Sequence, residues 1–299
     1  MIGELAALGA AICWVFSSVL YRKALLRISP FKANVIRLTS TSGFLVALLA
    51  VVGKIGNLAN LPTTIILIAS LSGVIGLVLG DILYMYGLKL IGVSRAVPLS
   101  CTYPLFTILI ALLLRGETVE MPIIIGAISI FTGIWLLSKQ ANENSNALDH
   151  KISARGVISA VSTAIVWSVS ITLMNTAVSF PEANSLDGAL TVNTIRGLAA
   201  SLVLLIISPI FSKQLTFLKE VPRKIWLLLF SGGVIALALG WFLLTLSFLY
   251  TQETRAVPIS STTPFFSTIA GILFLNEAIT VEVISGSVLI VLGIFLLFI

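Results

Sequence analysis

The sequence predicts an all-α integral membrane protein with ten transmembrane helices, arranged as two inverted five-helix repeats. Three observations predict it. First, 58% of the 299 residues are hydrophobic and only 10% are charged, against about 25% charged in a soluble domain. So little charge cannot cover a water-facing surface, so the surrounding solvent must be lipid. Second, the chain repeats itself at a shift of 160 residues: Gly73 to Ser138 aligns with the later copy without a gap, at 24 identities in 66 positions. The shared residues include Arg, Pro, Gly and Glu in one register, which apolar composition alone does not produce. Third, each half divides into five apolar segments. An odd number makes the second half enter from the opposite face, related to the first by a pseudo-two-fold axis in the membrane plane.

The segments run over residues 4–21, 33–52, 64–88, 95–114 and 121–138, then 154–179, 187–211, 224–249, 255–275 and 280–299. Segment 1 carries Glu4 and lacks a basic leader, so it reads as a spanning helix rather than a cleaved signal. It holds Trp14 with Ser17 and Ser18, and segment 6 holds Trp167 with Ser168 and Ser170. Segment 2 carries Asn34-Val35-Ile36-Arg37, matched in segment 7 by Asn193-Thr194-Ile195-Arg196. Three-residue spacing puts Asn and Arg of each pair on one helix face. In segment 3, Gly73, Gly76 and Gly80 form a close-approach face suited to packing in lipid, followed by Asp81, Tyr84 and Met85. Segment 8 has Trp241 where segment 3 has Asp81.

Segments 4 and 9 open on the strongest part of the repeat. Arg95-Ala96-Val97-Pro98-Leu99-Ser100-Cys101-Thr102-Tyr103-Pro104 meets Arg255-Ala256-Val257-Pro258-Ile259-Ser260-Ser261-Thr262-Thr263-Pro264. Each interior proline removes a backbone hydrogen bond and should kink its helix. In lipid the freed carbonyls need neighbours, and Ser100, Thr102, Ser260, Ser261 and Thr262 are at hand. Each segment closes near a glutamate, Glu117 or Glu277, read as a helix-end cap. Arg95 and Arg255 read as interfacial anchors. Pro62, Pro122 and Pro222 stand at helix starts, where a missing N–H costs little. The polar stretch 139–153, with His150, separates a first repeat (1–138) from a second (154–299) and reads as a linker.

Five-plus-five helices, the Trp of the first helix, the Asn-x-x-Arg of the second, the paired prolines of the fourth and the closing Gly116-Glu117 together resemble the EamA-type drug/metabolite transporters. The second half departs from the pattern at Asn276-Glu277. The resemblance covers nearly the whole chain. It implies a basket of helices around a central cavity, the fifth and tenth helices peripheral, and substrates ranging over amino acids, other metabolites and drugs.

The functional expectation is a secondary transporter in the cytoplasmic membrane, moving a small metabolite by alternating access, with no cofactor. No phosphate-binding Gly-rich loop supports ATP use. Intramembrane proteolysis lacks its residues: His150 is in a linker, no second Asp accompanies Gly80-Asp81, and His-Glu-x-x-His is absent. A basic groove with interleaved aromatics, as nucleic-acid binding requires, is missing. Cys13 and Cys101 form neither a disulfide framework nor a metal spacing. A non-transporting scaffold and a drug or organic-cation exporter are the rival readings.

The candidate cavity residues are Trp14, Asn34, Arg37, Asp81, Tyr84, Tyr103, Trp167, Asn193, Arg196 and Trp241, with Pro98, Pro104, Pro258 and Pro264 as gating kinks. An arginine inside hydrocarbon costs at least about 2.5–3.5 kcal/mol, so Arg37 and Arg196 should face the interior. They attract a carboxylate or phosphate, or else serve as structural arginines. Asp81 reads either as a protonatable coupling residue or as an arginine's partner. Two Arg against one Asp favour an anionic or zwitterionic solute, amino acids first. The partners expected are that solute, the bilayer and a coupling proton, the protein being a monomer or weak homodimer. Thirteen Lys or Arg follow odd-numbered segments and three follow even-numbered ones. The positive-inside rule then puts both termini outside the cytoplasm, whereas the resemblance implies inside.

Overall fold

The computed structural model describes residues 2–106, 121–139, 153–212, 221–251, 256, 259–275 and 280–296. Among these residues every regular element is a helix, with no strand. Helix α1 is Ile2–Leu25, with Glu4 in its first turn and Arg22 and Lys23 in its last, which complements the helix dipole. Helix α2, Pro30–Val51, starts on a proline. A one-turn helix, Asn57–Asn60, precedes α3, which runs unbroken over Thr63–Ile91. Then come α4 (Val93–Ser100), α5 (Met121–Lys139), α6 (Ala154–Ser179), α7 (Leu186–Ser212), α8 (Arg223–Tyr250), α9 (Thr263–Leu275) and α10 (Val281–Leu296). Six of them, α1, α2, α3, α6, α7 and α8, are long and apolar enough to cross a membrane. At 29 residues, α3 is about 43 Å long, more than the roughly 30 Å hydrocarbon core, so it must tilt or project.

The packing crosses between the halves. Helix α3 lies against α6 and α7, while α8 lies against α1 and α2. Helices α2 and α7 pack on each other, as do α4 with α9 and α5 with α10. A Cβ on Gly73 would stand 2.2 Å from the Arg196 carbonyl oxygen, and one on Gly233 would stand 2.1 Å from Thr41 Oγ1. Only glycine permits these approaches. Ser72 and Ser170 stitch α3 to α6 reciprocally, each hydroxyl donating to the other's carbonyl at 2.7 and 2.8 Å. Large side chains such as Leu67, Ile206 and Leu227 point outward and are exposed, as a lipid-facing surface requires.

Two features differ from the plain helices that the apolar segments predict. In α3 the stretch Val74–Gly80 is a π-helix, and Val234–Gly240 in α8 is its match. Wide turns strain the hydrogen-bond ladder and are kept when something holds them. Here an asparagine does so in each half: Asn34 Nδ2 donates to Leu77 O at 2.8 Å and Asn193 Nδ2 to Leu237 O at 2.7 Å.

The fourth segment, expected as one kinked helix, is instead broken. Helix α4 ends at Ser100, Cys101 and Thr102 form a turn, and helix resumes at Tyr103. The ninth behaves alike, turning at Ser261 and Thr262 before α9. Pro104 and Pro264 therefore sit in the first turn of a new helix, where no donor is missed. Thr102 Oγ1 donates to Leu99 O and Thr262 Oγ1 to Ile259 O, both at 2.7 Å, satisfying carbonyls at the break. Pro98 lies inside α4. Pro258, Arg255, Glu117 and Glu277 lie outside the described residues.

A candidate substrate cavity

The cavity grows from the ends of the two π turns. Asp81 and Trp241 are the first residues after them, so the wide turn sets the direction in which each side chain leaves its helix. The Asp81 N–H reaches back five residues to Gly76 O, and the Trp241 N–H to Ala236 O.

Asp81 is 2% exposed and fully engaged. Its Oδ2 forms an ion pair with Arg37 Nη2, and its Oδ1 accepts from Trp167 Nε1 at 3.1 Å. The same Arg37 nitrogen donates to Asn34 Oδ1 at 2.6 Å. Arg37 also lies over the Tyr21 ring, 5.1 Å from its centroid. The i, i+3 spacing of Asn34 and Arg37 thus produces one unit: the Asn amide holds the π turn with its nitrogen and the arginine with its oxygen. Burying a charged pair is costly unless both partners are satisfied; here both Asp81 oxygens and Arg37 Nη2 are engaged, while Arg37 Nε has no hydrogen-bond partner among the described residues. Arg37 is buried rather than reaching toward an interface.

Around this pair stand aromatic walls. Tyr84 and Trp167 lie 5.0 Å apart by ring centroids, and Trp14 meets Trp241 edge-on at 5.3 Å. Tyr103 shares a 3.1 Å hydrogen bond with Ser260, joining the two broken helices. Together they line a narrow cavity of about 40 Å³ that opens through a wider mouth. A binding site of this kind combines an apolar lining with a few converging polar groups.

Of the ten candidate residues, Trp14, Arg37, Asp81, Tyr84, Tyr103, Trp167 and Trp241 lie on the cavity wall. Asn34 and Asn193 stand behind it, where they hold the π turns. Arg196 is also off the wall: it is fully buried, its guanidinium against the ring of Trp241, which does line the cavity. Sequence reasoning missed Ser17, Tyr21, Ser100, Cys101, Ile171 and Thr263, which also line the space. Some were findable. Ser17 and Tyr21 follow Trp14 at i+3 and i+7, and Ile171 follows Trp167 at i+4, so each shares a helix face with a chosen residue.

The family model of the EamA-like transporters matches residues 1–139 and 154–299. The chain belongs to the EamA-like transporter family. This EamA-like protein is therefore a multi-pass integral membrane transporter. It is 29% identical over 298 residues to an uncharacterized transporter of Archaeoglobus fulgidus, covering 99% of this chain and 98% of that one. A crystal structure with 19% sequence identity superposes at a TM-score of 0.67 over 98% of this EamA-like chain and 95% of the other, which shows likeness of fold.

Proposed function

We propose that this protein is a secondary transporter for small zwitterionic metabolites, amino acids with large apolar side chains first. In this reading ten spanning helices form two inverted halves, residues 1–138 and 154–299 joined by the linker 139–153. Alternating access exposes the cavity to each side of the cytoplasmic membrane in turn. The observation that carries the reading is the Arg37–Asp81 pair on a wall that is otherwise aromatic and apolar apart from a few hydroxyls. An ion pair at a cavity wall offers both signs of charge at once. A zwitterion offers the complement, its carboxylate toward Arg37 and its ammonium toward Asp81, with the rings around its side chain. Asp81 acts in this scheme by positioning Arg37.

Flux into proteoliposomes tests it, with a panel of amino acids, nucleotide-linked sugars and organic cations. Uptake of large neutral amino acids above the other two classes is expected, and its loss in Arg37→Gln. Saturable uptake of the cations alone would replace this reading by a second one, drug or organic-cation export. The aromatic walls favour that alternative, since ring faces attract cations.

A further inference from the structure

The two halves carry the same buried arginine in different settings. In the first half Arg37 is neutralised by Asp81. The position that matches Asp81 at the 160-residue shift is Trp241, and its ring lies over the guanidinium of Arg196, 4.5 Å from the centroid. The N–H groups of Arg196 donate to Ser72 Oγ at 3.0 Å, Ser170 Oγ at 3.3 Å and Met174 Sδ at 2.9 Å. Every one of these partners is neutral, and the negative charge that acts on Arg196 from farther off is that of Asp81, already paired with Arg37. Among the described residues no carboxylate stands within ion-pair distance of Arg196. Yet Arg196 is completely buried. A cation in that position calls for negative charge, and hydroxyls, a thioether and a ring face supply only partial charges.

Two further facts concern access. Trp241 lines the cavity and also lies against the guanidinium, so one ring touches both the substrate space and the cation. Trp241 is also the first residue after the π turn Val234–Gly240. A π turn holds one residue more than an α turn. Relaxing it to α therefore carries the following side chains about 100° round the helix axis. The hydrogen bond from Asn193 to Leu237 holds that turn in place, and Asn193 lies one helical turn before Arg196.

We propose that Arg196 is a second, gated subsite for a carboxylate monoanion, with Trp241 as its lid. The ring stands in for the anion in the state seen here. When it turns aside, a carboxylate on an aromatic or apolar body enters as the counter-ion that the second half lacks. The proposal rests on the transport cavity described above but not on the Arg37–Asp81 pair.

Phenylacetate, phenylalanine and phenethylamine share one aromatic body and carry an anion, a zwitterion and a cation. Their binding to the purified full chain is read by calorimetry and by the shift in thermal midpoint, at constant ionic strength. The wild type should prefer phenylacetate to phenethylamine by at least about tenfold, and Arg196→Met should abolish the preference. Trp241→Asp, which gives the second half the carboxylate of the first, should reverse it. Trp241→Phe should retain it. If Trp241→Asp does not purify as a monodisperse protein, Trp241→Ala takes its place and should strengthen phenylacetate binding by about tenfold. No preference in the wild type, or a preference that survives Arg196→Met or Trp241→Asp, overturns the subsite, as does weaker or unchanged binding in Trp241→Ala. Phenylalanine binding separates the two proposals: if it is absent while phenylacetate binds through Arg196, the zwitterion reading fails and the subsite stands.

Discussion

Asp81 holds two donors at once, Arg37 on one oxygen and Trp167 on the other. Removing one partner of such a pair leaves the other charge buried, at a cost of about 3–5 kcal/mol. Asp81→Asn should therefore lower the thermal midpoint in detergent markedly. The double variant Arg37→Met/Asp81→Leu should recover most of it, because it buries no charge. Both should lose phenylalanine binding, which stability alone would not explain in the recovered double variant. Transport separates the roles of the carboxylate. If Asp81 positions Arg37, Asp81→Asn should reduce pH-gradient-driven uptake and counterflow exchange together. Loss of the former with exchange intact would make Asp81 a proton-coupling residue. Glycines give a sharper contrast. A methyl on Gly73 would overlap the Arg196 backbone, so Gly73→Ala should cost about 1–3 kcal/mol through helix separation. Gly43, exposed on α2, has nothing within 4 Å of a Cβ, and Gly43→Ala should gain up to about 1 kcal/mol from helix propensity.

At the scale of elements, the broken helices and the π turns are where α-helical hydrogen bonding is given up. Matched prolines, two turns and a Tyr103–Ser260 bond place α4 and α9 beside the cavity. If these breaks serve as gates, Pro104→Ala/Pro264→Ala should let each helix close across its turn and reduce flux while expression stays near normal. Unchanged flux would confine the prolines to a structural role. Asn193→Ala removes the donor from Leu237 O, and an unsatisfied buried carbonyl costs about 1–3 kcal/mol. Hydrogen exchange should rise first around Val234–Gly240, with Val74–Gly80 protected as before, because Asn34 still holds it. The reverse order would show that the asparagines do not act on their own turns.

At the scale of the molecule, the third helix of each half is packed into the other half. The halves should therefore support each other without a covalent join. Co-expressed fragments 1–139 and 154–299 should copurify and bind phenylalanine, while either alone should aggregate. Independent stability of one fragment would contradict the crossed packing. If orientation follows the charge asymmetry of the loops, both termini stand outside the cytoplasm. In intact cells Lys54→Cys should label from outside, whereas cysteines at Ala141 and Leu218, positions outside the described residues, should not. Reversed labelling would put the termini inside, as the family resemblance implies.

Much of this could be read from the chain alone. Composition determined that the solvent is lipid, because 10% charge cannot cover a protein in water. The repeat identified which elements are equivalent, since a shared register of Arg, Pro and Gly needs no coordinates to detect. The pairing of a buried Arg with Asp81 was one of the two roles that sequence left open, because lipid leaves a buried charge few choices. Tertiary structure decided the rest. Apolar periodicity cannot distinguish an α turn from a π turn, because the extra residue is stabilised by an asparagine 43 positions away. Proline announces a bend, but whether the helix kinks or breaks depends on which hydroxyl reaches the freed carbonyl. Arg37 and Arg196 look alike in sequence. One faces the cavity and the other lies against a tryptophan because different residues stand at the matched place on α3 and α8. Their difference is a property of what packs against them, which no local pattern contains.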